Sequence, residues 1–206
     1  MRDDTHSDIR EAVRDLCGQF PAEYFRTLDE KRAYPEEFVQ ALTTAGWLAA
    51  LIPQEYGGSG LDLTEASIIM EEINRCGGNS GACHGQMYNM GTLVRHGSEI
   101  QERRFLPKIA SGKLRLQSMA VTEPTAGTDT TKFRTMAVKT GDRYVVHGQK
   151  VWISRVQHSE LMIILARTTP LEDVEKKSDG MSIFIVDLRD AIGKGHCAGH
   201  PQYGQS

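Results

Sequence analysis

The sequence predicts an α + β multidomain chain, with an all-helical region first and a β region after it. Three observations carry this. Apolar residues recur at helical spacing from Asp8 to about Gly112. From Gln117 onward they recur every second residue, and β-branched and aromatic side chains become frequent. Between these stretches, Ser111-Gly112 punctuates the chain. The boundary is placed near Gly112, which gives segments 1–112 and 113–195, with 196–206 set apart as an aberrant tail.

Asp8 to Phe20 reads as a helix capped by Ser7, with Ile9, Ala12, Val13, Leu16 and Cys17 near one face. The segment TLDEKRAYP is polar and ends at Pro35, suited to the first position of the next helix. That helix turns Phe38, Val39, Leu42 and Ala45 inward and ends at Gly46. Trp47 to Ile52 is too short and too uniformly apolar for periodicity to decide its state. Glu55 to Leu61 is glycine-rich but fails the dinucleotide-binding pattern, because Leu63 stands where the third glycine belongs. It also lacks the Gly-Lys-Ser/Thr of a P-loop, so a flexible connection is expected.

Thr64 to Arg75 reads as a helix capped by Thr64, with Ala66, Ile69, Met70 and Ile73 inward and Glu71 paired to Arg75. Asn79 or Ser80 caps the next helix, which runs to His96. His84 beside Cys83 lacks further ligands, so packing is expected there rather than metal binding. Ser98-Glu99-Ile100-Gln101 resembles a capping box, and Pro107 is expected to break or kink the helix it opens. Strands are predicted at Gln117 to Val121, Phe133 to Thr140, Arg143 to His147, Lys150 to Ile153, Leu161 to Arg167 and Met181 to Asp187. Turn signals at Thr140-Gly141-Asp142 and Gly148-Gln149 separate some of them. Leu171 to Gly180 is a charged, exposed loop.

The 206 residues are 39% apolar and 25% charged, as in an ordinary globular protein. A net charge of -3 provides no general attraction to nucleic acid or anionic membrane. No apolar run reaches the length of a membrane span. The N-terminal MRDDTHSDIREAVRDL has no apolar signal core and is acidic for a transit peptide, so a cytoplasmic location is expected. Cys17, Cys76, Cys83 and Cys197 form no Cys-x-x-Cys pair and are expected to be reduced thiols.

Met119 to Ser154 is the stretch of functional interest. A short strand leads to Pro124 and a turn, Thr125-Ala126-Gly127-Thr128-Asp129, rich in hydroxyls and backbone N–H groups that can hold a polar ligand. Trp152 beside Ser154 suits a flat aromatic cofactor. Spacing alone favours the plainer reading of strands, a tight turn and a core tryptophan.

Ala120-Val121-Thr122-Glu123-Pro124-Thr125-Ala126-Gly127-Thr128-Asp129 resembles the first signature of the acyl-CoA dehydrogenase family. Trp152-Ile153-Ser154 resembles that family's second flavin contact. Residues 52–58, 106–112 and 141–150 also look like family segments, in family order, and the likeness runs to about Gly193. Lys132 departs from the pattern, which has a small residue there. The run Thr128 to Thr131 with Trp152 to Arg155 looks closest to the short branched-chain members.

The resemblance implies a helical N-terminal domain, a middle antiparallel β-barrel-like domain and a C-terminal helical bundle. It implies FAD as cofactor, with Met119, Val121, Thr122, Gly127, Thr128, Trp152, Ile153 and Ser154 as its contacts. Thr128 is also implied as a contact to an acyl-CoA substrate. The implied reaction is α,β-dehydrogenation of an acyl-CoA thioester, with an electron-transfer flavoprotein as partner and a homo-oligomeric assembly. Oxidases and monooxygenases of the same architecture are alternative parents. Glu123 and Asp129 are read as shaping the turn rather than as bases.

The family's catalytic glutamate belongs to the C-terminal bundle, and the sequence ends at Ser206, before that bundle. This chain is therefore expected to hold no catalytic residue and to be inactive alone. Alternatives are a non-catalytic flavin- or acyl-CoA-binding module and a non-functional truncated product. His196, Cys197 and His200 lie close together but lack a fourth metal ligand. The genetic code permits a shifted frame here that reads like the family's next segment, so residues from about His196 are expected to be out of frame.

Overall fold

Residues 6–78 and 80–195 are described by the computed structural model. The tail readings, both the metal cluster and the shifted frame, lie outside the described residues, as does Asn79. The chain divides after Gln117 into two compact units. Among the described residues there are seven α-helices, mostly in the first unit, and five strands, all in the second.

The first unit contains α1 (Ser7–Cys17), α2 (Ala22–Glu30), α3 (Glu36–Thr44), α4 (Leu63–Arg75), α5 (Gly81–His96) and α6 (Glu99–Ala110). Their apolar stripes meet in a core that includes Val13, Phe38, Leu42, Ile69, Ile73, Met90 and Leu106, all buried. Along α1 and α4, charged contacts recur turn by turn. His6 lies 3.9 Å from Glu65, Arg10 reaches Glu71 at 2.8 Å and Glu72 at 2.6 Å, and Arg14 reaches Glu72 at 2.7 Å. Glu71 therefore faces Arg10, not Arg75 as expected. Glu72 is fully buried. Its bonds from Arg14, and then from Arg10, overcome burial and hold its carboxyl at about 2.

Helix α2 was not expected from its polar sequence. Tyr24 and Phe25 rescue it, because Phe20, Tyr24, Phe25 and Phe38 form an edge-to-face aromatic cluster with ring centroids 5.2 Å apart. The cap of α4 is Asp62 rather than Thr64, in a capping box with Glu65. Helix α1 begins at Ser7 itself, behind His6. The box of Ser98 and Gln101 opens α6 as expected. Pro107 neither breaks that helix nor ends it. It sits on the exposed face of the last turns, where the carbonyl it leaves free can meet water. The His84 ring packs against Tyr88 at a tilt, centroids 4.9 Å apart.

The second unit contains β1 (Ser118–Ala120), β2 (Met136–Thr140), β3 (Arg143–His147), β4 (Leu161–Arg167), β5 (Met181–Asp187) and the short α7 (Leu188–Gly193). The sheet is mixed and open, not antiparallel and barrel-like. Strand β4 pairs parallel with β1 and, at its last residue, with the first residue of β2, and antiparallel with β5. The β2–β3 hairpin is antiparallel. The long connections from β1 and β2 to β4 allow parallel pairing, and the tight turn at Gly141 (φ 64°) enforces the hairpin. Arg167 is buried at the end of β4, where it donates to the carbonyls of Phe133, Thr131, Lys177 and Asp179. It thereby ties the charged loop 171–180 to the sheet.

Candidate functional site

Strand β1 delivers the chain into a turn closed by reciprocal backbone bonds. Glu123 N–H donates to the Ala126 carbonyl at 3.0 Å, and Ala126 N–H donates to the Glu123 carbonyl at 3.2 Å. Pro124, with fixed φ and no N–H, suits the exposed corner. The Glu123 side chain points into the unit. It accepts from Arg134 N–H at 2.7 Å, Thr135 N–H at 2.9 Å, the Thr135 hydroxyl and Lys150 Nζ at 3.0 Å. Burial alone would raise its pKa. The Thr135 hydroxyl, the two N–H groups and Lys150 win, and hold it at about 2. Burial pulls the Lys150 ammonium the other way, downward, and Glu123 opposes that shift without cancelling it. Asp129 accepts from Thr131 N–H at 3.3 Å and pairs with Lys132 at 3.3 Å, so it caps the single turn Thr130–Lys132. Both carboxylates are therefore structural acceptors, as read from sequence.

The segment from Gly148 to Ser154 returns alongside this turn. A Cβ on Gly148 would lie 2.3 Å from Thr135 Oγ1, so only glycine permits the approach. Three bonds then fasten the segment. Lys150 Nζ donates to the Val121 carbonyl at 2.9 Å, Val151 N–H to the Thr122 carbonyl at 2.9 Å, and Ser118 Oγ to the Ser154 carbonyl at 2.9 Å. The strand expected at Lys150 to Ile153 does not form. Trp152 and Arg155 have φ of 60° and 65°, and left-handed residues interrupt an extended ladder. Ile153 packs against the cluster of Ala120, Met162 and Leu188. Trp152 points outward at 83% exposure and is not a core residue.

The two sequence motifs are thus brought edge to edge. Met119, Val121, Thr122 and Ile153 are half-buried along the seam, while Gly127, Thr128, Trp152 and Ser154 are exposed at it. A Cβ on Gly127 would meet nothing within 4 Å. Among the described residues, none accepts from the N–H groups of Gly127 or Thr128. An open glycine, two N–H donors, a threonine hydroxyl and an indole held out in water can bind a polar ligand with a flat aromatic part. A separate cleft of about 320 Å³ is lined by Glu123, Pro124, Thr125, Arg134, Thr135, His147, Gly148 and Gln149, and it includes none of the exposed seam residues. Sequence reasoning missed Ser118 and Lys150. Each acts on a residue about thirty positions away, at separations of 36 and 29, so no local signal marks them.

Among the described residues, no group of three or more His, Cys, Asp or Glu is placed to hold a metal ion. No described helix is long and apolar enough to cross a membrane.

Comparison with known proteins is consistent across both units. Residues 3–113 match the acyl-CoA dehydrogenase N-terminal domain, and residues 118–204 match the acyl-CoA dehydrogenase middle domain. The chain is 32% identical over 180 residues to cyclohex-1-ene-1-carbonyl-CoA dehydrogenase of Syntrophus aciditrophicus, covering 87% of this chain and 42% of that protein. It is 33% identical over 164 residues to mitochondrial isovaleryl-CoA dehydrogenase of Bos taurus, covering 78% and 38%. An acyl-CoA dehydrogenase structure from Geobacillus kaustophilus superposes with a TM-score of 0.81 at 28% identity, covering 91% of this chain and 48% of that one. The chain thus spans less than half the length of these relatives. Two family domains in sequence order, each matched over nearly its whole unit, place the chain in the acyl-CoA dehydrogenase family.

Proposed function

We propose that this chain contributes the helical and flavin-facing parts of an FAD-dependent acyl-CoA dehydrogenase. Segments 1–112 and 113–195 act as its N-terminal and middle domains. The observation that supports this most is the bond from Val151 N–H to the Thr122 carbonyl, 2.9 Å, which joins the two motifs into one surface.

The residues present fit FAD. Gly127 leaves open space, Gly127 and Thr128 offer N–H donors, and Trp152 offers an exposed ring face. Met119, Val121 and Thr122 would also hold the cofactor, together with Trp152, Ile153 and Ser154, with Ile153 anchoring that segment to the unit. When bound, FAD supplies the two-electron acceptor for oxidation of the acyl chain. The chain's residues would bind and orient it and exclude water from it, and Thr128 would also meet the acyl-CoA.

Glu123 and Asp129 take no proton from substrate, because their oxygens already accept bonds that hold the turn. On this reading the 206 residues on their own bind FAD without turning over acyl-CoA. The parent enzyme passes electrons to an electron-transfer flavoprotein, assembles as a homo-oligomer and works in the cytoplasm.

The test is a flavin spectrum of the purified chain with and without added FAD. The expected result is a bound, protein-perturbed flavin that acyl-CoA does not bleach. Colourless protein that leaves the spectrum of added FAD unchanged would count against flavin binding. Bleaching at enzyme-like rates would count against the absence of a base.

A further inference from the structure

The first unit contains a thiol pair that the flavin site does not use. Cys17 is the last residue of α1, and Cys76 directly follows α4. The two helices run side by side in parallel. Contacts step from His6–Glu65 through Arg10–Glu71 and Arg10–Glu72 to Arg14–Glu72. Continuing that register by one turn brings Cys17 opposite Cys76. Cys17 is buried at 1% exposure, whereas Cys76 is half-buried, with its Sγ 2.9 Å from the Ile73 carbonyl. Cys76 is therefore the more accessible of the two.

We propose that Cys76 and Cys17 form a peroxide-reactive thiol pair, closing to a disulfide that staples the C-terminal ends of α1 and α4. The Cys76 sulfur attacks one peroxide oxygen and the O–O bond breaks; the departing hydroxide takes the Cys76 thiol proton and leaves as water, giving a sulfenic acid on Cys76. The Cys17 sulfur then attacks the Cys76 sulfur. The S–S bond forms, the S–O bond breaks, and the departing hydroxide takes the Cys17 proton as a second water. Two thiols lose two electrons and two protons, and one peroxide becomes two waters.

The order of roles follows from the surroundings. Burial first, and the neighbouring Cys76 second, push the Cys17 thiol up to about 12, so Cys17 is a poor first nucleophile. Cys83 is buried close to Cys17 on the first turn of α5 and is the competing partner.

The experiment treats the whole chain with hydrogen peroxide, then alkylates the remaining thiols in denaturant and maps the peptides. The expected product is a Cys17 peptide linked to a Cys76 peptide, released by dithiothreitol. It should form in higher yield in the native chain than when peroxide is added in urea. In the Cys76→Ser variant, Cys17 should be recovered alkylated. Linkage should persist in Cys197→Ser, and the oxidised chain should unfold at higher urea than the reduced one. Recovery of Cys76 alkylated or as sulfinic acid, linkage of Cys76 to Cys83 or Cys197, or equal yield in urea would each overturn the proposal.

Discussion

Two glycine-bearing turns of this chain treat their backbone in opposite ways. In the first unit, the N–H groups of Gly58, Ser59, Gly60 and Leu61 donate to the carbonyls of Pro53, Ala49, Ile52 and Ala50. Gly57 and Gly60 take φ of 86° and 65°, and a Cβ on Gly58 would lie 2.1 Å from the Ile52 carbonyl oxygen. This turn is a packed knot, not the flexible connection its composition promised. In the second unit, the turn from Glu123 to Ala126 closes on itself and then leaves Gly127 and Thr128 facing open space. Glycine content therefore does not mark a ligand loop. What marks it is whether the donors are already committed to the fold.

The largest effect expected comes from beneath the second turn. Glu123→Gln removes a buried acceptor that anchors the turn to Thr135 and Lys150, and should cost about 4 kcal/mol, read from urea unfolding. Its pH dependence sharpens the point. Glu123 has a folded-state value of about 2 against an ordinary 4.5, so its stabilisation is present above about pH 4.5 and is lost as pH falls towards 2. Glu72 titrates in the same window in the first unit. Acid unfolding of the native chain should begin below about pH 4.5, and Glu123→Gln should flatten the response of the second unit only. A variant that responds like the native chain would remove Glu123 from this role.

Gly58→Ala should cost about 3 kcal/mol, because the added methyl meets backbone that cannot yield. A loss below about 1 kcal/mol would break the contrast between the two turns. Gly127→Ala should change stability by no more than about 0.5 kcal/mol. Under the proposed function it should weaken FAD binding about tenfold, or about 1.4 kcal/mol, in a titration followed by flavin fluorescence. Unchanged affinity would exclude the open side of Gly127 from the cofactor surface. The smallest effect is expected at Trp152, exposed and held at φ 60°. Trp152→Gly should leave stability unchanged or raise it by about 0.5 kcal/mol through relief of the backbone, while flavin affinity falls.

Much of this was readable from sequence where the cause is local. The box of Ser98 and Gln101, the end of α3 at the left-handed Gly46, and the spans of β3, β4 and β5 follow from side chains acting on their own neighbours. The errors have distant causes. Helix α2 depends on rings from Phe20 and Phe38. The expected strand at 150–153 gave way because Ile153 is drawn into the Ala120, Met162 and Leu188 cluster while Trp152 turns out. The open, mixed sheet reflects which strands β4 recruits, and strand periodicity does not encode partners.

At the seam between the two motifs the division is sharpest. Sequence alone supplies the residue types, Thr122, Gly127, Thr128 and Trp152, because hydroxyls, a missing Cβ and an indole are properties of single residues. Tertiary structure decides that they share one surface. The bonds from Ser118 to Ser154, Lys150 to Val121 and Val151 to Thr122 connect positions about thirty residues apart. Such contacts close loops of about thirty residues, and no local pattern can announce them.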